Sequence, residues 1–398
     1  MEVIPPASGR RELKSFVLLY GLMYAAFGVA SPFWPRFFEE RGVAPAELGM
    51  LLAMGTAVRL VSGPIAGGIA DRFDARVKTL AICTGLSALF ALSLLRADGL
   101  LLLLAGSLGQ AAVLAPVTTL ADALASRHGT KAPGPATGRF EYGWVRGAGS
   151  AAFVAGTLIA GQVVSATGLG SVVVLHAGLL LAAALVTSLL IQDEREPMEW
   201  TEAGTAAAAD LRVLLQLPLF RRLLLVAALV LGSHAMHDAF AVIRWNAAGI
   251  GPGLASVLWS LSVASEVVVF WLIGPRLLAR AGPAGAAAIA VAAGVLRWIV
   301  MAISADPLAL AVVQPLHGLT FALLHLACMR LLVRVVPVRL AATGQAIYAF
   351  AAASATGLMT LAAGSLYAHF GAHAFFAMAG LCAAALPLTA GLRERERI

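Results

Sequence analysis

A carboxylate and a guanidinium lie inside two stretches that are otherwise almost wholly apolar, Glu266 within residues 256–273 and Arg297 within residues 286–303. A charge at bilayer depth costs roughly 2.5–3.5 kcal/mol or more, so it is retained only where it is paired or faces a water-filled path. Asp238, Arg59, Arg146, His234, His317 and His325 have comparable surroundings. A chain that embeds so many ionisable groups in hydrocarbon-length segments is suited to moving something polar across a membrane.

Composition supports the membrane setting. Of 398 residues, 60% are hydrophobic and only 12% charged, with a mean hydropathy of +0.88. Soluble domains carry about a quarter charged residues. Apolar windows of roughly 20 residues, each long enough to cross the bilayer core, recur along the whole length. Twelve are expected, near 15–38, 47–70, 78–96, 100–124, 142–166, 170–191, 220–246, 254–276, 284–304, 307–334, 341–367 and 373–391.

Basic residues set the expected orientation. One set of alternate loops holds Arg10, Arg11, Lys14, Arg72, Arg76, Lys78, Arg127, Lys131, Arg139, Arg195, Arg212, Arg221, Arg222, Arg276, Arg280, Arg334, Arg339, Arg393, Arg395 and Arg397. The opposite set holds only Arg36, Arg41 and Arg96. The positive-inside bias then places both termini in the cytoplasm of an inner-membrane protein. This bias accounts for the net charge of +7. A nucleic-acid partner would need a clustered basic face with interleaved aromatics, and none is visible. Cys83, Cys328 and Cys382 fall in apolar spans at unrelated spacings and read as small buried hydrophobes. The polar start runs directly into a full-length span, so the first helix is expected to stay as an anchor.

The longest polar stretch divides the spans six and six. It contains residues 192–197, Gln-Asp-Glu-Arg-Glu-Pro, and an amphipathic piece at 210–216, which suits a cytoplasmic linker with an interfacial helix. Echoes between the halves support a repeat: Gly63-Pro64 matches Gly274-Pro275, and Pro116 matches Pro315. Six-span repeats around a midplane site are a common plan of secondary transporters. Between the second and third spans the chain reads Gly67-Gly-Ile-Ala-Asp71-Arg72-Phe-Asp74-Ala75-Arg76. This resembles the Gly-x-x-x-Asp-Arg-x-Gly-Arg-Arg signature of the major facilitator superfamily, with Asp74 and Ala75 replacing Gly and Arg. The resemblance implies that Gly67 lets helices approach closely and that Asp71 and Arg72 steady a gate.

Further segments resemble the phenylpropionate-permease family, itself related to the lactose-permease and nucleoside–proton symporters. They are Ser31-Pro-Phe-Trp34, Leu120-Ala-Asp122-Ala-Leu124, Tyr142-Gly-Trp-Val-Arg146 with Gly149-Ser150, and His234 with Phe240, Trp245 and Gly249. Later pieces are Ser265-Glu266, Leu296-Arg297-Trp298, Gln314-Pro-Leu-His317 through His325 to Met329-Arg330, and Gln345-Ala-Ile-Tyr348. The resemblance implies an all-α membrane protein of twelve transmembrane helices in two pseudo-symmetric six-helix bundles, the major facilitator fold. The expected divisions are residues 1–191, a cytoplasmic linker at 192–218, and residues 219–398. It also implies proton-coupled uptake of an aromatic or other small organic acid. His237 and Asp238 stand where the family has aromatics, and Arg244 where it has a neutral residue.

Proton coupling needs a group whose proton affinity changes as a cavity opens and closes; burial and an approaching arginine act on a carboxyl in opposite directions. Glu266 with Arg297 supplies such a pair, and His317 and His325 add carriers near neutral pH. Lactose-type symporters order Glu, Arg and His on spans eight, nine and ten, as here. A permanent ion pair is the other reading of Glu266 and Arg297, and hydrogen bonding between helices that of the histidines. Asp238 is counted with the proton-coupling groups and His234 with the substrate contacts. The two share one helical face at i, i+4, so the carboxylate can orient the imidazole; a divalent-metal site with Glu266 is conceivable on donor chemistry. In the first half, Arg146 and then Arg59 suit a substrate carboxylate, unless Arg146 is spent on Asp122 or Glu141. Tyr142, Trp298 and Tyr348, with Phe33, Trp34 and Trp259, can stack on an aromatic ring or simply pack.

The expectation is therefore a monomeric secondary transporter working by alternating access, a proton symporter of a small organic anion with no cofactor and no resident metal. Proton-linked export of drug-like compounds and divalent-metal transport are the alternatives. No Ser/His/Asp grouping, phosphate loop or His-Glu-x-x-His motif points to an enzyme.

Overall fold

The structure is a computed structural model that describes residues 7–129, 140–191 and 206–392. Residues 192–205 of the expected linker, and Lys131, Arg139, Arg195, Arg393, Arg395 and Arg397 of the orientation argument, lie outside them. Among the described residues ten helical stretches are long and apolar enough to cross a membrane. Two of them, Pro252–Ile303 and Val338–Ala390, run to 52 and 53 residues, about twice what a ~30 Å hydrocarbon core requires. The first bends at Gly282, whose φ of 66° lies in the left-handed region, followed at once by Pro283. The second breaks at a short 3-10 turn, Gly371–Ala374. Eight single crossings and two double ones make twelve.

We number these α1 (Ala7–Ala30), α2 (Pro45–Arg72), α3 (Arg76–Arg96), α4 (Leu100–Ser126), α5 (Tyr142–Thr167), α6 (Gly170–Leu190), α7 (Pro218–Ala247), α8 (252–281), α9 (283–303), α10 (Pro307–Val335), α11 (Ala341–Phe370) and α12 (Phe375–Ala390). Proline opens α7, α8 and α10, where its missing N–H costs nothing. At α10 the Asp306 carboxylate caps the exposed N–H groups of Leu308 and Ala309 at 3.0 and 2.9 Å. The amphipathic piece expected near 210–216 falls in a helix, Ala206–Gln216.

Contacts divide the chain into two compact units. One comprises Met1–Val43, Met54–Pro197 and Gly251–Val257; the other comprises Ala44–Ala53, Met198–Ile250 and Leu258–Ile398.

In the first unit α1 and α5 are in backbone contact. A Cβ on Gly28 would lie 2.0 Å from the Phe153 carbonyl oxygen, and one on Gly156 2.5 Å from that of Ala25. The Thr157 hydroxyl donates to the Gly28 carbonyl across the same seam at 2.9 Å. Without a hydrophobic drive between helices in lipid, such close approach and interhelical bonding supply the association. Two buried side chains of this unit are held by long-range hydrogen bonds. His176 donates from Nδ1 to the Ala26 carbonyl at 2.8 Å, and its Nε2 pairs with the Gln110 amide at 2.9 Å. Arg41 donates to the carbonyls of Leu94, Leu95 and Ala97, closing the end of α3.

In the second unit four irregularities interrupt helices. α10 breaks before Pro315, as proline demands. α7 breaks at Ser233–His234 with no proline present. There the Ser233 hydroxyl and the His234 Nδ1 both donate to the Val230 carbonyl, at 2.6 and 3.0 Å, drawing an acceptor out of the helical ladder. π-helical turns occupy Val269–Ile273 in α8 and Leu319–Leu323 in α10, and such turns tend to fall at functional positions.

The α1–α5 seam makes a direct prediction. Gly156→Leu will force these helices apart at a cost of about 1–3 kcal/mol or more, read as a lost or strongly lowered thermal transition in detergent. Thr157→Val, at the same seam, will lose only the single bond, about 1 kcal/mol.

Candidate functional site

The second unit gathers its ionisable residues because α8 and α10 meet at a glycine. A Cβ on Gly318 would lie 2.5 Å from the Ser265 carbonyl oxygen, and the Gly318 N–H donates to the Ser265 hydroxyl at 3.0 Å. That contact sets Glu266 beside His317, with Nε2 of the imidazole 2.8 Å from the carboxylate Oε1. Each residue stands within one turn of its helix's π turn.

Arg297 completes the group from α9, fully buried at 0% exposure. Its Nη1 lies 2.9 Å from His317 Nδ1, and its Nη2 donates to Gln314 Oε1 at 2.8 Å. The Gln314 oxygen also accepts from the Ser262 hydroxyl at 2.9 Å. A guanidinium can only donate, so Nδ1 of His317 must carry a lone pair. The ring proton then sits on Nε2 and is donated to Glu266. The expected direct Glu266–Arg297 pair is thus corrected: a neutral imidazole stands between them, because α10 enters the gap between α8 and α9 at this level. The guanidinium also lies over the Trp298 ring, 4.5 Å from its centre.

Beside this relay lies a layer of packed polar and aromatic groups. His234 Nε2 pairs with the Thr320 hydroxyl at 2.9 Å, and its ring is 5.0 Å from that of His317. Trp298 donates from Nε1 to the Ser233 hydroxyl at 2.9 Å. His237 stacks on Trp259 at 4.8 Å and places Nδ1 3.2 Å from Asp238 Oδ1. Asp238 therefore pairs with its neighbour rather than orienting His234, the partner that i, i+4 spacing suggested. Among the described residues no group of three or more His, Cys, Asp or Glu side chains is arranged to hold a metal ion.

Other expected members stand apart. His325 contacts the rings of Phe270 and Tyr348 at 6.0 and 6.1 Å, away from Glu266 and His317. His234, Trp298 and Tyr348, expected to touch substrate, are buried in helix packing and present no open face in this conformation. Sequence reading underrated Gln314, Ser262 and Thr320, because neutral polar residues in apolar spans give no charge signal.

The first unit carries its own cluster. Asp122 on α4 accepts from the hydroxyls of Tyr20 and Tyr142 at 2.5 and 2.7 Å. Arg146 lies 3.7 Å from the same carboxylate, donates to the Tyr24 hydroxyl, and has 45% of its side chain exposed. The alternative partner foreseen for Arg146, Asp122, is thus present, yet much of the guanidinium stays open. Arg59 is exposed on α2 and donates to Thr56 on its own helix at 3.0 Å.

In the loop after α2, Arg76 is buried and donates to Asp71 at 2.8 Å, with Asp74 3.4 Å away. Arg72 is exposed. Asp74 has φ +45°, in the left-handed region that glycine enters most easily; Asp is among the few other residues that tolerate it. The implied close approach at Gly67 is not found: nothing lies within 4 Å of a Cβ placed there.

Comparison with known proteins gives the fold and cluster a family. Residues 12–378 match the MFS_1 like family, and the chain belongs to it. It is 30% identical over 366 residues, 90% of this chain and 92% of the relative, to a protein of Escherichia coli (strain K12) named "Probable 3-phenylpropionic acid transporter". Among solved structures it superposes on the nucleoside transporter NupG with a TM-score of 0.80 at 16% identity, covering 96% of this chain and 98% of that one. A bacterial homologue of the human lysosomal transporter Spinster superposes at 0.69, also 16% identical, covering 97% of each. The protein is a multi-pass membrane transporter of the major facilitator superfamily, acting on a small molecule, and not an enzyme.

Two substitutions test this account of the buried charge. Gln314→Met will strand one guanidinium N–H and the Ser262 hydroxyl, lowering stability by about 2–3 kcal/mol, read as a fall in the thermal midpoint. Asp74→Gly will be neutral or stabilising, whereas Asp74→Val will be destabilising, because a β-branched residue resists positive φ.

Proposed function

We propose that this transporter is a proton symporter of a small aromatic carboxylate, working by alternating access in the inner membrane with both termini cytoplasmic. The observation that carries it is the Glu266–His317–Arg297 relay. Glu266 is the proton site: His317 donates to one carboxylate oxygen whether or not the other carries a proton, so uptake and release require no repacking. Arg297 fixes the imidazole tautomer and supplies the permanent positive charge. With Glu266 ionised this trio is neutral; with Glu266 protonated it is cationic, and a bound anion restores balance. Protonation thereby favours substrate binding, which is the requirement for symport.

Arg146 is the proposed contact for the substrate carboxylate. It is the partly open guanidinium whose partner, Asp122, is already satisfied by two phenols. The named Escherichia coli relative supports an arylalkanoate as substrate, and Tyr142, half-buried beside Arg146, offers a ring to stack on it. Arg59 is a second candidate anion contact. Asp71, locked to Arg76, is proposed to steady one gate state, and the protein is proposed to act as a monomer.

Purified protein in liposomes with labelled 3-phenylpropionate provides the test. Glu266→Gln, which fixes the site in a proton-like neutral form, will sharply lower accumulation driven by an inward proton gradient while keeping substrate exchange across loaded vesicles. Undiminished accumulation would refute the coupling role. Arg146→Gln will raise the KM by about 10–100-fold, the worth of one charge-assisted hydrogen bond, with Glu266-dependent coupling intact.

A further inference from the structure

α7 from Ala235 to Trp245 is buried at every residue but one. Asp238 alone is open, with 55% of its side chain exposed. His234, Ala235, Ala241 and Val242, one turn to either side on the same face, are all buried. The helix is therefore enclosed, and the opening at Asp238 is a gap in interior packing, not a flank turned to lipid.

This carboxylate lacks a cationic partner in contact among the described residues. Its hydrogen bond is to His237. The groups facing it are His234 on its own helix, Glu266 on α8, Arg297 on α9 and His317 on α10. Arg297 spends its terminal nitrogens on His317 and Gln314. Arg244, farther along α7, donates instead to the Ala302 carbonyl at 3.5 Å.

His237 differs from His317 in one decisive way. Its Nε2 is buried without a hydrogen bond. Gln314 stands beside the ring, but with its own bonds committed to Arg297, Ser262 and the Met301 sulfur it leaves either tautomer open. With Asp238 ionised, Nδ1–H donates to the carboxylate. With Asp238 protonated, the carboxyl O–H donates to Nδ1 and the ring hydrogen sits on Nε2. The pair gains or loses one proton with every heavy atom in place.

We propose that Asp238 with His237 is a second proton-binding site, coupled to Glu266. The proposal rests on the symport reading for its role in transport, but not for its existence. Two carboxyls share one guanidinium in this unit, so full ionisation leaves the cluster at one negative charge. One bound proton makes it neutral, and two make it cationic. A monoanionic substrate then offsets the charge of the doubly protonated cluster, and each cycle carries one net positive charge inward.

Infrared difference spectroscopy of the full-length protein across a pH range, without substrate, tests the site directly. The wild type is expected to show two protonated-carboxyl bands from membrane-embedded groups. Asp238→Asn will remove one, Glu266→Gln the other, and each will shift the midpoint of the survivor; Asp238→Glu will restore the lost band. A spectrum unchanged by Asp238→Asn, or a Glu266 midpoint indifferent to it, overturns the proposal. In liposomes, an inside-negative potential imposed with potassium and valinomycin should stimulate 3-phenylpropionate uptake by the wild type but not by Asp238→Asn. Wild-type uptake indifferent to potential overturns the two-proton cycle. Two coupled bands in a protein that does not accumulate 3-phenylpropionate would support the proton site while refuting the proposed substrate.

Discussion

The second unit is organised around a guanidinium with no access to water. Arg297 stays protonated in any protein environment, and at 0% exposure its charge and hydrogens must be met by side chains. Gln314 and His317 meet two of them, and the Trp298 ring covers a face. This demand propagates outward. Gln314 is held by Ser262, His317 is locked in one tautomer, and that tautomer points its proton at Glu266. Gly318 brings α10 close enough to α8 for the chain of bonds to close. The order Glu–His–Arg is thus a consequence of one buried charge and one missing side chain.

The first unit meets a similar demand in the opposite manner. Arg146 is half-exposed, and its nearest carboxylate, Asp122, is occupied by two tyrosines. A charge left partly in contact with open space needs fewer fixed partners, since water supplies the rest. The cost of removing such a guanidinium from water is correspondingly smaller. One arginine is therefore suited to a permanent structural role and the other to exchanging partners.

Much of the fold was legible in the sequence because bilayer thickness sets span length, and hydropathy reports it directly. Ten apolar stretches resolve into twelve crossings at the breaks that Gly282-Pro283 and Gly371 impose. Three members of the candidate cluster were legible as well: Glu266, Arg297 and His317 announce themselves as ionisable groups in apolar surroundings. Their order in space was not, since spacing along separate helices says nothing about which stands between the others. Asp238 was misread for a related reason. Helical spacing made His234 a possible partner, but His234 turns back to the Val230 carbonyl where α7 breaks, leaving His237 in its place. Asp74 shows the converse. Where the family signature has glycine, Asp74 stands in the left-handed region, which glycine enters most easily and Asp also tolerates.

The interposed imidazole bears on the proposed mechanism. A direct guanidinium–carboxylate pair at this depth would be a poor switch, since breaking a buried ion pair costs about 3–5 kcal/mol. Protonating such a carboxylate would sacrifice that pairing on every cycle. In the arrangement observed, Arg297 keeps both its partners whichever form Glu266 takes, and the carboxyl keeps its bond from His317. The step that changes is confined to one proton on one oxygen. A site built this way holds its geometry while its charge varies, so substrate binding can respond to protonation without disturbing the helices that carry it.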